Sequence, residues 1–142
     1  LLAITQTRVP EAVLSPHPGE AARLLGTDVA TVERDRFAAA EALVARFDAV
    51  VVLKGAGSII AGPNNVSVVI GAGNPGMGSG GMGDVLTGAI AALRGQGLSA
   101  FDAACAAAVL HAAAGDMAAR EGGERGMLAT DLFPHMRRLA NP

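Results

Sequence analysis

The sequence predicts an α/β protein in which helices are layered on a sheet, and three observations favour this class. A continuous apolar run from Ala49 to Leu53 is typical of a strand that is covered on both faces. Two shorter apolar stretches follow it, and segments with helical periodicity lie before and after this group. The chain has 142 residues, of which 51% are hydrophobic, so one domain can bury a core without disulfide or metal support.

The first elements follow from apolar spacing and turn residues. Val13-Leu14 is a short apolar stretch, and the prolines and glycine between Ser15 and Gly19 predict an irregular loop. A short helix is expected from Glu20 to Leu25. Asp28 is placed to cap a longer helix from Val29 to Phe47, which carries a helical stripe of apolar residues.

The strand at Ala49 to Leu53 is followed by an expected β-hairpin. Its strands are Ser58 to Ala61 and Val66 to Ile70, with Gly62 to Asn65 as a four-residue loop. After a glycine-rich segment, a helix is expected from Met82 to Arg94.

Two helices complete the predicted chain. Ser99 and Asp102 resemble a capping box, with Asp in place of Glu or Gln, and begin an alanine-rich helix that continues to Arg120. The many alanines predict close packing against another element. Thr130 is expected to cap a last helix from Asp131 to Leu139.

Composition excludes several classes of protein. The single cysteine rules out a disulfide framework, and with no export signal it favours a cytoplasmic location. The net charge of -2, the pI of about 5.9 and the lack of Trp and Tyr argue against nucleic-acid binding. The run from Phe101 to Ala119 contains Asp102 and Asp116, so it predicts a buried helix and not a membrane span.

The first residues give two expectations. Gln6 and Arg8 interrupt the opening apolar residues, so no signal peptide is expected. The sequence starts at Leu1 without Met, and we expect it to begin inside a longer protein.

Seven glycines fall within the 13 residues from Gly71 to Gly83, between a predicted strand and a predicted helix. Glycines allow close approach of a ligand to the backbone, and the helix behind them directs free N–H groups at it. The pattern favours an anion site, with a flexible loop or a close packing site as the alternative. It lacks the Gly-Lys-Ser/Thr of a Walker A loop, and its GxGxxG matches lead into a second helix, which argues against a Rossmann fold.

Asp84 follows this cluster at the start of the helix. It is either a helix cap or a base that removes a proton from a hydroxyl group attacking phosphorus, and we favour the base. Lys54 is the only lysine among 11 basic residues. It ends a predicted buried strand, and ligands commonly bind at strand ends in α/β sheets. The alternative is a lysine at the end of a strand that only reaches solvent.

For His17 and Glu20, the sequence is compatible with more than one function. His17, in a rigid loop, is either a functional residue or a surface histidine in a turn. Glu20 either caps the next helix or holds a water on Mg²⁺. His111 and Cys105 are expected in the core, and His135 on the surface.

Three segments of the sequence resemble a known family. They are Leu14 to Glu20 (LSPHPGE), Val52 to Ser58 (VLKGAGS) and Gly73 to Gly88 (GNPGMGSGGMGDVLTG). They are similar to the ADP-dependent NAD(P)H-hydrate dehydratases, in order and over nearly the whole chain. The resemblance implies a ribokinase-like three-layer α/β/α fold, present as a partial domain. It also implies conversion of the S epimer of NADHX or NADPHX to NAD(P)H, with ADP (or ATP) and Mg²⁺.

The same resemblance implies site residues. Contacts to the AMP part of ADP would come from Lys54, Gly55, Ala56, Gly57 and Ser58. The phosphates would be contacted by Gly83, helped by Gly80 and Gly81. Asp84 and His17 would contact the hydrated cofactor, with Asp84 as the base, and Glu20 would be the acidic residue linked to Mg²⁺.

The family domain is about twice as long as this chain, which resembles its C-terminal half, so residues 1–142 are expected to be the C-terminal part of one such domain. We expect a homo-oligomer, and an NAD(P)H-hydrate epimerase domain fused to or paired with it. The alternatives are a small-molecule kinase of the same fold and a non-catalytic nucleotide-binding fragment.

Overall fold

The computed structural model describes residues 11–141. Within them, strands and helices follow one another in the predicted order. The strands are β1 (Val13–Leu14), β2 (Val50–Leu53), β3 (Ser58–Ala61) and β4 (Val68–Ile70). The helices are α1 (Pro18–Leu25), α2 (Val29–Arg34), α3 (Arg36–Phe47), α4 (Met82–Gly95), α5 (Ala100–Gly122) and α6 (Leu132–Leu139). Short 3-10 helices cover Pro75–Gly78 and Ala129–Asp131.

The four strands form one mixed sheet in the order β1-β2-β3-β4. Strand β1 runs parallel to β2, with Val13 opposite Val50. Strands β2, β3 and β4 are antiparallel to their neighbours, with Val52 opposite Ile60. The predicted hairpin is therefore confirmed. Its second strand begins at Val68 and not at Val66, which lengthens the loop.

Both faces of β2 are buried, as the apolar run predicts. Val50 and Val52 pack with Leu86 of α4 and the small residues of α5. Val51 and Leu53 pack on the opposite side, against α1, α2 and α3. Burying each such side chain contributes about 1.5–3 kcal/mol, so this strand is a main source of stability. The result is a three-layer α/β/α arrangement.

Helix α5 is the central helix of one outer layer, and its many small alanine side chains allow this position. Ala103, Ala104, Ala107 and Ala114 are fully buried. Such small side chains let α5 approach the sheet, α4 and α6 closely, which confirms the predicted close packing.

The prediction of one continuous helix over Val29–Phe47 is wrong, because the segment forms two helices, α2 and α3, that are divided at Asp35. The Asp35 backbone is non-helical, and its carboxylate accepts a hydrogen bond from the Ala38 N–H at 2.9 Å. A side chain that caps a new helix competes with continuation of the old one.

The C-terminal region corrects two further expectations. Thr130 does not cap α6; instead, the Asp131 carboxylate accepts from the Leu128 N–H at 2.8 Å and closes the preceding 3-10 turn. His135 is buried and not on the surface, since it faces the domain interior one helical turn from Leu132. The Ser99 cap is confirmed, because its hydroxyl accepts from the Asp102 N–H at 3.1 Å.

No helix in the part of the chain that the structure describes is long and apolar enough to cross a membrane. The expectations for Leu1 to Arg8 lie outside the described residues.

Candidate active site

His17 ends the proline-containing loop and caps α1. Its Nδ1 accepts hydrogen bonds from the N–H groups of Gly19 (3.0 Å) and Glu20 (3.3 Å). Because Nδ1 is the acceptor, the neutral imidazole carries its proton on Nε2. The side chain is half exposed. His17 is thus the N-cap of α1, and its Nε2 lies 3.6 Å from Oε2 of Glu20.

Glu20 completes a reciprocal cap and also faces a cation. Its Oε2 accepts the His17 N–H at 2.8 Å and lies 3.7 Å from Nζ of Lys54. Burial raises the pKa of Glu20, but the His17 N–H and the nearby charges of Lys54, His17 and Arg23 outweigh it, so the pKa lies below its usual value. Glu20 is therefore a stable carboxylate at neutral pH.

Lys54 directs its ammonium across the end of β2 toward α4. A Cβ atom built at Gly83 would lie 2.9 Å from Nζ of Lys54. The structure therefore brings His17, Glu20, Lys54 and Gly83 together, although they lie on three separate segments of the sequence.

The turn after β2 contains the other residues for which AMP contacts are expected. Ser58 folds back within this turn, since its Oγ lies 3.3 Å from the Gly55 nitrogen and 3.2 Å from the Gly55 oxygen. Arg36 braces the turn from α3 by donating hydrogen bonds to its backbone carbonyls. Sequence reasoning missed Arg36, because a surface-type residue at a helix start gives no signal of a partner some twenty positions away.

The beginning of the glycine segment is held by α5. The Asp116 carboxylate accepts from the Gly73 N–H at 3.1 Å and from the Asn74 side-chain amide at 3.0 Å. Asn74 in turn caps the 3-10 helix by accepting from the Gly76 N–H. Sequence reasoning also missed this function of Asp116, whose partners are distant in the chain.

The end of the segment leads into α4. Gly81 is the N-cap with φ of 87°, and no side chain caps the helix. Buried His111 donates from Nε2 to the Met82 carbonyl at 3.0 Å and fixes the first turn. Gly78 and Gly80 have open space around them, whereas a Cβ at Gly76 would lie 2.5 Å from a backbone oxygen. Part of the segment is thus a close packing site and part is open for a ligand.

Asp84 lies in the first turn of α4, directly after Gly83, and is exposed. Its carboxylate makes no cap, and no hydrogen bond to it occurs within residues 11–141. The next turn of α4 contacts the His17 loop, because Thr87 Oγ1 lies 3.3 Å from Ser15 Oγ. An exposed carboxylate in the first turn of an uncapped helix, one residue after the glycine that Lys54 faces, is suited to proton transfer next to a bound phosphate.

Two depressions lie elsewhere on the surface. One, of about 490 Å³, lies between α3 and the hairpin, and the other, of about 400 Å³, between α5 and α6. Neither is lined by a residue predicted for the site. Among residues 11–141, no cluster of His, Cys, Asp and Glu is arranged to hold a metal ion by protein ligands alone.

The three layers and the site at the end of β2 define a ribokinase-like α/β protein. A solved structure of the ADP/ATP-dependent NAD(P)H-hydrate dehydratase from Bacillus subtilis, co-crystallised with ATP and Mg²⁺, matches 97% of this chain with a TM-score of 0.89 and 30% identity. The sequence profile of the NAD(P)H-hydrate dehydratase family matches residues 2–138, and the chain belongs to that family.

Two relatives agree with this assignment. The bifunctional NAD(P)H-hydrate repair enzyme of Escherichia coli (strain K12) is 56% identical over 142 residues, which are 100% of this chain. The ADP-dependent (S)-NAD(P)H-hydrate dehydratase of Neisseria meningitidis serogroup B is 48% identical over 91% of this chain. The chain spans 28% and 44% of these two proteins, and 51% of the Bacillus chain.

Proposed function

We propose that this chain contributes the nucleotide site and the catalytic base for dehydration of (S)-NADHX or (S)-NADPHX to NAD(P)H, with consumption of ADP. The observation that carries the proposal is the approach of Lys54 to Gly83, immediately before Asp84. The names of the Bacillus and Neisseria relatives support the reaction and the nucleotide. We further propose that residues 1–142 form the C-terminal part of one ribokinase-like domain.

In this mechanism Asp84 accepts the proton of the ring hydroxyl of the substrate. The hydroxyl oxygen bonds to the β-phosphorus of ADP as the bond to AMP breaks. Phosphate then leaves the ring carbon, the adjacent carbon loses a proton, and the double bond forms. Lys54 and the uncapped N–H groups of α4 stabilise the phosphate charge, and His17 donates from Nε2 to the substrate. Gly80, Gly81 and Gly83 allow the close approach.

Nucleotide contacts in this proposal come from the turn after β2, formed by Lys54, Gly55, Ala56, Gly57 and Ser58. Glu20 fits an Mg²⁺ ion that is held mainly by phosphates and water, because such ions need only one or two carboxylates from the protein. Of its two oxygens, Oε2 is engaged with His17 and Lys54, which leaves Oε1 for a water ligand. The ion would neutralise phosphate charge.

Partners and location also belong to the proposal. The word bifunctional in the name of the Escherichia coli relative supports a fused or paired NAD(P)H-hydrate epimerase domain. A homo-oligomer is part of the proposal, with exposed apolar side chains such as Val66 and Phe133 as candidate contacts between copies. The unpaired Cys105 supports a cytoplasmic location.

The test supplies the intact protein with (S)-NADHX, ADP and Mg²⁺ and follows the return of nicotinamide absorbance. Asp84→Asn should lower turnover by about 100-fold or more, because a general base is lost, while ADP binding persists. Glu33→Gln is the matched control, since it removes an exposed carboxylate of α2 and should leave turnover unchanged.

Two outcomes contradict the proposal separately. If absorbance does not return with the intact protein, the reaction is wrong. If Asp84→Asn turns over at the normal rate, the reaction stands and Asp84 is not the base.

A further inference from the structure

Arg36 contacts the turn after β2 more extensively than any residue predicted from the sequence. Its Nη1 donates to the Ala56 carbonyl at 2.6 Å, and its Nη2 donates to those of Leu53 (3.2 Å) and Lys54 (3.3 Å). One guanidinium thus fixes three carbonyl groups within four consecutive residues. Its planar fork suits this arrangement, which a lysine could not reproduce.

The position of the guanidinium is specified by the turn. Its Nε is buried and has no hydrogen-bond partner among the described residues. Burial of such an unpaired N–H group normally costs free energy, so other contacts must hold the guanidinium in this position. Gly55, with φ of 150°, leaves the space that the guanidinium occupies, since a Cβ there would lie 2.7 Å from Nη2. The turn and Arg36 therefore fit each other closely.

Because of these hydrogen bonds, the carbonyl groups and the N–H groups of the turn differ in whether they are free to bind a ligand. The carbonyl groups of Leu53, Lys54 and Ala56 are directed at Arg36 and are unavailable to a ligand. The N–H groups of Ala56 and Gly57 have no partner among residues 11–141. The donors that this turn leaves free are therefore the N–H groups of Ala56 and Gly57, in the same turn as the cationic Lys54, which suits an acceptor-rich anionic ligand.

We propose that Arg36 is a positioning residue for ADP: it orders the turn from Lys54 to Gly57 so that donors face the nucleotide. The inference rests on the proposed function, in which this turn contacts the AMP part of ADP. Arg36 itself donates to the protein backbone and does not touch the substrate. Its loss should therefore affect nucleotide affinity and leave the hydrated cofactor and the Asp84 chemistry unaffected.

The experiment measures ADP binding by titration calorimetry and steady-state kinetics with the intact protein. Arg36→Met should weaken ADP binding by about tenfold or more, because charge-assisted hydrogen bonds are lost. The KM for ADP should rise accordingly, while the KM for (S)-NADHX and kcat at saturating ADP change less than about twofold. Arg36→Lys should restore part of the affinity through its charge.

Arg34→Met is the matched control, because Arg34 is exposed on α2 and has no partner among the described residues. It should bind ADP like the wild type. If Arg36→Met does not fold, Arg36→Lys alone tests the proposal. Its KM for ADP should rise while its KM for (S)-NADHX stays close to that of the wild type.

The outcomes are distinguishable. Equal ADP affinity in wild type and Arg36 variants, or an equal rise of both KM values, overturns the positioning function while the proposed reaction stands. If the wild type itself does not bind ADP, the proposed function fails and the inference fails with it.

Discussion

Gly83 shows how the absence of a side chain shapes this site. The ammonium of Lys54 occupies the space that a Cβ at this position would approach to 2.9 Å. In contrast, Gly95 at the end of α4 has nothing within 4 Å of such an atom. These two of the three glycines of α4 therefore differ in function: Gly83 leaves space for a cation, and Gly95 is open to solvent.

Gly83→Ala should displace Lys54 and weaken ADP binding by about tenfold, because the proposed cationic partner of the nucleotide moves. The fold should persist, since the flexible end of a lysine gives way easily and alanine favours a helix by about 0.5–1 kcal/mol over glycine. Gly95→Ala is the control and should keep ADP affinity. Titration calorimetry and urea unfolding measure both quantities, and unchanged ADP affinity in Gly83→Ala would show that Lys54 is misassigned.

Among the elements, α5 organises the glycine segment from behind. Asp116 holds its beginning, Gly115 accommodates Met77 in its middle, and His111 fixes the first turn of α4 at its end. All three residues of α5 contact the segment or the helix that follows it, so a single helix sets the shape of a segment that is rich in flexible glycines. The proposed anion site thus depends on an element for which no ligand contact is proposed.

Asp116→Asn should loosen this segment. An asparagine offers one acceptor in place of two, and its amide group opposes a donor, so stability should fall by about 1–3 kcal/mol. Hydrogen exchange should accelerate at Gly73 and the residues after it. Asp102→Asn at the other end of α5 is the control, because its contacts are confined to the local cap. Exchange of the glycine segment that is equal in both variants would contradict this function of α5.

The predicted elements that proved correct depend on local chemistry. The burial of β2 and the cap at Ser99 follow from neighbouring residues, and both are confirmed. The division at Asp35 was missed because the apolar stripe continues through it while one carboxylate decides the backbone. Arg36 and Asp116 were missed because their partners are distant in the sequence and are brought near only by tertiary packing.

At the scale of the whole molecule, the candidate site draws on all three layers. Glu20 comes from α1 on one side of the sheet, Lys54 from the end of β2, and Gly83 from α4 on the other side. Neither helical layer can form the site without the other. The geometry of the site is therefore linked to the stability of the complete sandwich, and groups buried between its layers matter for function.

His111 is such a group, and it makes stability depend on pH. Burial lowers its pKa below the usual 6.5, and the hydrogen bond to Met82 offsets this only in part. As pH falls below about 6.5, the unfolded chain takes up a proton that folded His111 resists, so the free energy of unfolding decreases. The contribution of His111 is thus present above pH 6.5 and is lost as pH falls toward its folded pKa.

Urea unfolding at pH 7.5 and pH 5.5 measures this effect. The wild type should lose more stability between the two values than His111→Gln, whose amide cannot titrate but can still donate to the Met82 carbonyl. His17 and His135 are present in both proteins, so the difference isolates His111. An identical loss in both proteins would mean that the imidazole does not resist protonation in the folded state.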